Sequence, residues 1–456
     1  MSESEKPRSL SAPLLIGMIF AAALAPLGST MMSVGLPAIG ADLGRDQAEL
    51  TQWLVASYLI ASIALQSPGG KLGDLIGHRR ALILGLLSYA AGSALGLAVA
   101  NLPALVAARV FMAAGGAAIV PATMALMRTQ ISAERRARAF GYFGACMSLA
   151  AAIGPLLGGE LTTAFGWRAI FAANLPVIAL ALLLVVLTGR QLAHAPTGPR
   201  PRFDFGGSIL LGAGLAMAVI ALRMNSEQTL WLGIGGGFLL AALPFWERRV
   251  QAPVIDFRLF RSRAFFAGGA VIALQNLAMY PLLHQLPIFF KQVHADHAHE
   301  IGRALLALTL AMTLLSIAGG RLSEKLGARA QVMIGSLLAL GGLYFFRDFG
   351  ALTSPMDAIA GLILIGAGLG LSSAPSNAAA MADAPREIAG MAGGVLSTMR
   401  YIGGVIGIAA MGKILVDAKS IADHNTVVYV YAAALATSAA LALLLPGRKP
   451  RATQQS

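Results

Sequence analysis

Ionisable side chains are rare in the apolar stretches of this chain, so those that occur there are the first candidates for chemistry. Two are arginines, Arg109 and Arg400, each within an apolar block. A guanidinium in hydrocarbon costs about 2.5–3.5 kcal/mol on the insertion scale, so it should face a cavity and find partners there. Arg109 lies only a few residues into its block, from where it can also reach outward to lipid headgroups. A second group is polar: Gln275, Asn276, Tyr280, His284 and Gln285 in one block, with Asn377 in another. Gln275, Asn276 and Tyr280 fall at i, i+1 and i+5, so only part of this group shares a helix face. His284 is the candidate proton carrier, because an ordinary pKa of ~6.5 lets a modest shift switch it near neutral pH. A histidine satisfied by a neighbouring helix fits the same pattern. Carboxylates are missing from the block interiors, since Glu160, Glu300 and Asp357 all fall near block ends. Two arginines without interior acids point to an anionic or neutral ligand.

The elements that hold these residues follow from composition. The chain has 456 residues, 57% hydrophobic and 12% charged, gathered into apolar blocks longer than a soluble core requires. Crossing ~30 Å of hydrocarbon takes roughly 20 apolar residues in a helix, because lipid satisfies no backbone polar group. Hydropathy places such blocks near 14–34, 50–68, 81–100, 104–127, 139–158 and 169–189, then 206–222 and 229–246, then 264–290, 301–320, 331–347, 356–380, 388–415 and 427–446. The expected architecture is an all-α membrane protein of about fourteen helices in a six, two, six order. Its parts are an N-terminal bundle over 1–190, an insert over 205–247 and a C-terminal bundle over 263–447. The proline- and arginine-rich connection 190–204 and the basic stretch 247–263 flank the insert. Most of the 34 basic residues fall in alternate loops, which predicts cytoplasmic termini and reads the net charge of +13 as topology rather than nucleic-acid binding. Lys6 and Arg8 ahead of an apolar run resemble a secretory signal, but the run continues through Val34, which predicts a retained first span. The single cysteine, Cys146, gives neither a disulfide framework nor a metal set, and is read as core packing.

One pattern occurs twice. Gly70-x-Leu72-x-Asp74-x-x-Gly77-x-Arg79 returns as Gly320-x-Leu322-x-Glu324-x-x-Gly327-x-Arg329, at a constant offset of 250. Both copies follow the second block of their six, so the two bundles are read as structurally equivalent, the arrangement of transporters that rock two bundles about a central site. The first copy, which runs on to Arg80, resembles the loop signature of the major facilitator transporters. That resemblance implies a loop carboxylate capping a facing helix end and arginines pairing across the halves, together latching one conformation. Leu75 and His78 stand where basic residues are usual, which implies a weaker latch.

Further segments extend the resemblance over most of residues 14–415 and toward the fourteen-span drug and proton antiporter branch. Gly154-Pro155-x-x-Gly158-Gly159 matches the antiporter-type fifth helix; its glycines let backbones nearly touch and its proline bends the helix. Ala108-Arg109 through Gly115, Trp53 to Tyr58, Phe165-Gly-Trp-Arg168 with Asn174 and Pro176, and Phe245-Trp-Glu247-Arg-Arg249 leading to Phe257–Phe260 are also similar. The first span departs from that branch, because Gly28 stands where an aspartate is usual. The resemblance implies a monomer in a bacterial-type inner membrane that exports small, partly apolar molecules by proton antiport. A uniporter or symporter of a small anionic or neutral metabolite is the alternative on the same fold.

Other classes fit poorly. No G-x-x-x-x-G-K-[ST] motif is present, since Gly70-Lys71 and Gly412-Lys413 are each followed by an apolar residue. No nucleophile-base pair, clustered carboxylates or metal set marks an enzyme, no cofactor is expected, and no soluble segment is long enough for a signalling domain. The implied partners are a small-molecule substrate, protons and the lipid bilayer.

Overall fold

The computed structural model describes residues 11–189, 203–223, 227–293, 298–352, 354–415 and 421–447. Most of the expected connection over 190–204 therefore lies outside the described residues. No strand occurs among those described. The principal helices are α1 (Ala12–Leu43), α2 (Ala56–Ile76), α3 (His78–Ala98), α4 (Leu102–Gln130), α5 (Ala133–Phe165), α6 (Asn174–Thr188), α7 (Phe205–Arg223), α8 (Glu227–Glu247), α9 (Arg263–Val293), α10 (Ala298–Leu326), α11 (Ala328–Leu343), α12 (Ile359–Asp383), α13 (Ala389–Ile414) and α14 (Ile421–Leu441). Each apolar block read from hydropathy overlaps one of these. Twelve described helices are long and apolar enough to cross a membrane, and α7 contributes a shorter apolar segment, Phe205–Ala221. α2 continues a π-helical turn, Thr51–Val55, and ends in the polar residues of the first motif copy.

The chain divides into two compact units, and the division passes inside α5 and α13. The first comprises Met1–Ser132, Cys146–Arg258 and Ala384–Ile402; the second comprises Ala133–Ala145, Leu259–Asp383 and Gly403–Ser456. In the first unit, α5 packs on α1 through its glycine pair. A Cβ at Gly154 would run into Thr30 Oγ1, and one at Gly158 would lie 2.9 Å from the Cα and carbonyl oxygen of Met31. Pro155 sits on the exposed side of α5, which continues past it to Phe165. Gly159 makes only an ordinary contact with Val34, and Cys146 is half-buried. In the second unit, α9 and α13 approach in the same way, Gly403 against Ala273 and Gly407 against Leu277. An aromatic cluster of Phe289, Phe290, Phe346 and Phe349 fills that unit's core.

The repeated motif builds the same turn twice. Gly77 joins α2 to α3 with φ 94 and ψ 135, and Gly327 joins α10 to α11 with φ 78 and ψ 163. Such positive-φ, extended-ψ backbone is nearly restricted to glycine and costs other residues about 1–3 kcal/mol. Gly77→Ala and Gly327→Ala are therefore each expected to destabilise by about 1–3 kcal/mol in thermal unfolding of the detergent-solubilised protein. Gly237→Ala, on an exposed face of α8 with no atom near its Cβ, should be neutral or stabilising. Equal effects at all these positions would contradict the assignment.

Candidate functional site

In the first unit Arg109, on α4, is fully buried. Its Nε donates to the carbonyl oxygen of Leu54 at 3.1 Å, and its guanidinium lies over the Tyr58 ring, 4.0 Å from the centroid. Nη1 and Nη2 are buried and have no hydrogen-bond partner among the described residues. No carboxylate forms an ion pair with Arg109 among those residues either. Cation–π attraction to a desolvated ring, about 2 kcal/mol, offsets part of the burial cost but supplies no acceptor for the two Nη groups.

The neighbourhood of Gly28 shows what stands in place of the usual aspartate. A Cβ there would meet Tyr89 Oη at 2.5 Å, with Met112 Cε at 3.4 Å and Asn174 Oδ1 at 3.6 Å. Tyr89 Oη in turn donates to the carbonyl oxygen of Leu24 at 2.7 Å, and Tyr58 Oη donates to that of Ala25 at 3.2 Å. α1 is thus gripped by two tyrosine hydroxyls where a carboxylate would project. Asn174 is fully buried; its Nδ2 donates to the carbonyl of Ile170 at 3.2 Å, and its Oδ1 lacks a partner among the described residues. Tyr89 carried no signal in the sequence beyond being a polar aromatic in an apolar block. Arg400, half-buried on α13, belongs to the same unit as Arg109.

The two motif copies make parallel contacts of different strength. Asp74 lies beyond the apolar stretch 50–68, at the polar end of α2. Its Oδ1 accepts the Gly390 N–H at 2.7 Å and its Oδ2 the Met391 N–H at 2.8 Å, capping the first turn of α13. A Cβ at Gly70 would strike the Gly390 carbonyl, so that glycine permits the approach. Burial pushes the Asp74 carboxyl up to about 7, against which the two backbone donors act. In the second unit Glu324 meets Arg138 of α5 through one guanidinium nitrogen, 2.8 Å from each carboxylate oxygen. Gly320 supplies the approach there, since a Cβ would lie 2.8 Å from the Ala137 carbonyl. That pair is partly exposed and is worth about 0–1 kcal/mol.

The arginines at the ends of the two motif copies bond backbone carbonyls. Arg79 Nη2 donates to the carbonyl of Val186 near the end of α6, at 3.2 Å, and Arg329 Nε donates to that of Leu445, just after α14, at 3.0 Å. Each therefore satisfies a carbonyl left over at a helix C-terminus. Arg80 is exposed.

The polar residues of α9 make contacts within their own helix and with its neighbours. Gln275 Nε2 donates to Ser336 Oγ at 3.2 Å, and Ser336 reaches Ser438 at 3.0 Å, linking α9, α11 and α14. Asn276 donates to its own helix at Ile272, and Asn377 to Ser373. Tyr280 lies against Gly404. His284 is exposed, with Nδ1 2.8 Å from the Tyr280 carbonyl of its own helix. Among the described residues of this unit the buried histidine is His424, just ahead of the last apolar block. Gln285 Nε2 donates to its carbonyl at 3.0 Å, and its ring lies between Phe289 and Phe349 at 5.1 and 5.4 Å. Among the described residues no group of three or more His, Cys, Asp or Glu is placed to hold a metal.

Comparison with known proteins agrees with this arrangement. The sequence profile of the Major Facilitator Superfamily matches residues 18–408. An uncharacterised MFS-type transporter of Bacillus subtilis, YvkA, is 31% identical over 405 residues, covering 88% of this chain and 90% of that one. The multidrug resistance protein Stp of Mycobacterium tuberculosis is 32% identical, with 85% of this chain and 73% of its own covered. The human organic anion transporter MFSD10 shares the fold, with a TM-score of 0.68 at 17% identity, covering 94% of this chain and 99% of that one. With that profile spanning most of its length, the chain belongs to the Major Facilitator Superfamily, as a multi-pass membrane transporter of small molecules.

Proposed function

We propose that this transporter exports small, partly apolar molecules that are neutral or anionic, by alternating access coupled to proton antiport. In this reading fourteen spans in a six, two, six order, both termini cytoplasmic, sit in a bacterial inner membrane as a monomer. The observation that carries it is the double docking of the repeated motif. Asp74 holds the first turn of α13, the fifth helix after the α7–α8 pair, and Glu324 holds α5, the fifth in the chain. Two equivalent clasps suit a machine that must release one set of contacts to open. The names of relatives near 30% identity, multidrug resistance proteins among them, support export. The ligand preference rests on Arg109, whose Nη groups have acceptors neither from protein acids nor from backbone among the described residues. An oxygen-rich neutral or anionic group would supply them.

Purified protein in liposomes with an internal pH-sensitive dye tests the coupling. Candidate substrates of each charge class are added without an imposed gradient, and substrate-dependent proton movement opposite to substrate flux is expected. Substrate entry without proton movement would instead indicate a uniporter, and transport of lipophilic cations alone would remove the ligand preference. Arg109→Gln should weaken binding of anionic substrates about 10- to 100-fold, since a charge-assisted hydrogen bond is worth about 1.5–3 kcal/mol. An unchanged affinity would take Arg109 out of the site.

Asp74→Asn keeps a single acceptor and no charge at the α13 terminus, a loss of about 1–2 kcal/mol. Hydrogen exchange at the Gly390 and Met391 amides should accelerate roughly 5- to 30-fold, by the same conversion. Exchange at the wild-type rate would show that the cap does not hold α13.

A further inference from the structure

Two carboxyl groups at the base of the α7–α8 pair are used by none of the contacts described above. Asp204 immediately precedes α7 and Glu247 closes α8; they are 6% and 5% exposed. Asp204 Oδ1 is occupied, accepting the Gly207 N–H at 2.8 Å as the helix cap and the Trp246 Nε1–H at 3.1 Å. Asp204 Oδ2 is buried and receives no donor among the described residues. Glu247 converges on the same point: a Cβ at Gly207 would strike Asp204 Oδ2 and lie 2.8 Å from Glu247 Oε1. Glu247 is committed on its other side: both oxygens accept the Val254 N–H, at 3.2 and 3.1 Å, and Oε1 also the Ile255 N–H at 3.3 Å. Between two buried carboxyls with no donor, one proton supplies the missing hydrogen bond and removes one of two like charges.

The surroundings fix the charge of the pair. Buried Lys71, from the first motif copy, has Asp74, Glu247, Asp256 and Asp204 as its nearby acids. Asp256 is balanced by Arg258, at 2.7 Å, whereas His78, 3.6 Å from Asp74, is held neutral by burial, which lowers it to about 4. With one shared proton the pair carries a single negative charge beside Lys71, which also faces Asp74; without it, a second buried negative charge crowds the same cation.

The pair is also joined to the α13 cap. Glu247 holds the backbone at Val254 and Ile255; the Val254 carbonyl accepts Ser67 Oγ–H from α2 at 2.9 Å; and the Asp256 N–H lies 3.0 Å from Met391 Sδ. Met391 is one of the two residues whose amides Asp74 receives. We propose that Asp204 and Glu247 form a proton-binding site, a carboxyl–carboxylate pair whose occupancy sets how firmly the 250–256 loop holds the first turn of α13. Loss of the proton repels the two carboxylates, loosens Glu247 from the loop and weakens the support of Met391. The inserted helix pair thus reports cytoplasmic proton activity to the cap. The reporting step rests on the proposed clasp role of Asp74 and on the proposed orientation; the proton site itself does not.

Infrared difference spectra of the full chain in liposomes, titrated from acidic to alkaline pH without substrate, test the site. A protonated-carboxyl carbonyl band should vanish on alkalinisation. The band should remain in Asp74→Asn and be lost when either Glu247→Gln or Asp204→Asn is added to it. Each added substitution removes the pair alone, so one that folds is sufficient; asparagine keeps an oxygen for the α7 cap. Asp74, also pushed up to about 7, gives a band of its own, so the reading is made in Asp74→Asn: a band that survives there when either folded substitution is added, or no band there at all, overturns the site. Protection of the Met391 amide, taken relative to its intrinsic exchange at each pH, tests the reporting step: its pH dependence should shrink in Glu247→Gln to the part owed to Asp74, and an unchanged dependence overturns it. Neither readout requires transport, so their failure leaves the export reading intact, and failure of proton movement in the liposome assay leaves the carboxyl pair standing.

Discussion

Hydrocarbon offers no partner to a backbone N–H or carbonyl, and this one deficiency governs the molecule. It forces the chain into helices that satisfy themselves everywhere except at their ends. With backbone chemistry closed along each helix, the open donors and acceptors lie at the termini. That is where the charged residues of this protein are placed. Asp74 takes two N–H groups of α13, Asp204 takes one of α7, and Arg79 and Arg329 each take a carbonyl at a C-terminal end. The repeated motif is therefore best understood as a set of helix-end ligands carried on a glycine turn.

The two copies also show how one pattern can yield contacts of unequal strength. Asp74 is a short acid, buried, and can reach its partner only because neither Gly70 nor Gly390 has a side chain. Glu324 is one methylene longer and meets a guanidinium in partly exposed surroundings, where solvent screens the pair. If both act as clasps, the first is the stiffer, and its release is the larger step. His78 beside Asp74 and Lys71 one turn earlier place that clasp among titratable groups, whereas Glu324 has an arginine that stays charged at any working pH.

Much of this was legible before any coordinates. Every apolar block falls on a principal helix, and twelve of the described helices are long and apolar enough to cross a membrane; α2, with its polar end, and the short α7 are not among them. The offset repeat pointed to equal turns, and Gly77 and Gly327 do share one backbone conformation. What sequence could not give were contacts whose partner is generic or distant. Any carbonyl could have received Arg79, so no residue type flagged Val186. Asp204 and Glu247 sit at the margins of apolar blocks, where an acid reads as ordinary loop, and only folding brings residues 43 apart within reach. His424 lies just outside the last apolar block, and its burial beside Phe289 and Phe349 arises only on folding.

Gly28 turns these observations into an argument about ligand. An aspartate in the first span would neutralise an arginine nearby and hold a proton; here Tyr89 Oη fills that space and returns its hydrogen to α1. A phenol can share a pocket with a guanidinium, but it leaves the positive charge of Arg109 uncompensated. Burying a cation without a counterion is unfavourable by several kcal/mol, more than one cation–π contact restores. A protein retains such a residue when something else completes it for part of the cycle. In the proposed exporter that something is the substrate, so binding energy arises from the same deficit that the missing carboxylate creates. In that exporter proton handling is sited elsewhere, and the proposed carboxyl pair at the base of α7 and α8, with Asp204 Oδ2 buried and without a donor among the described residues, is the place the structure offers.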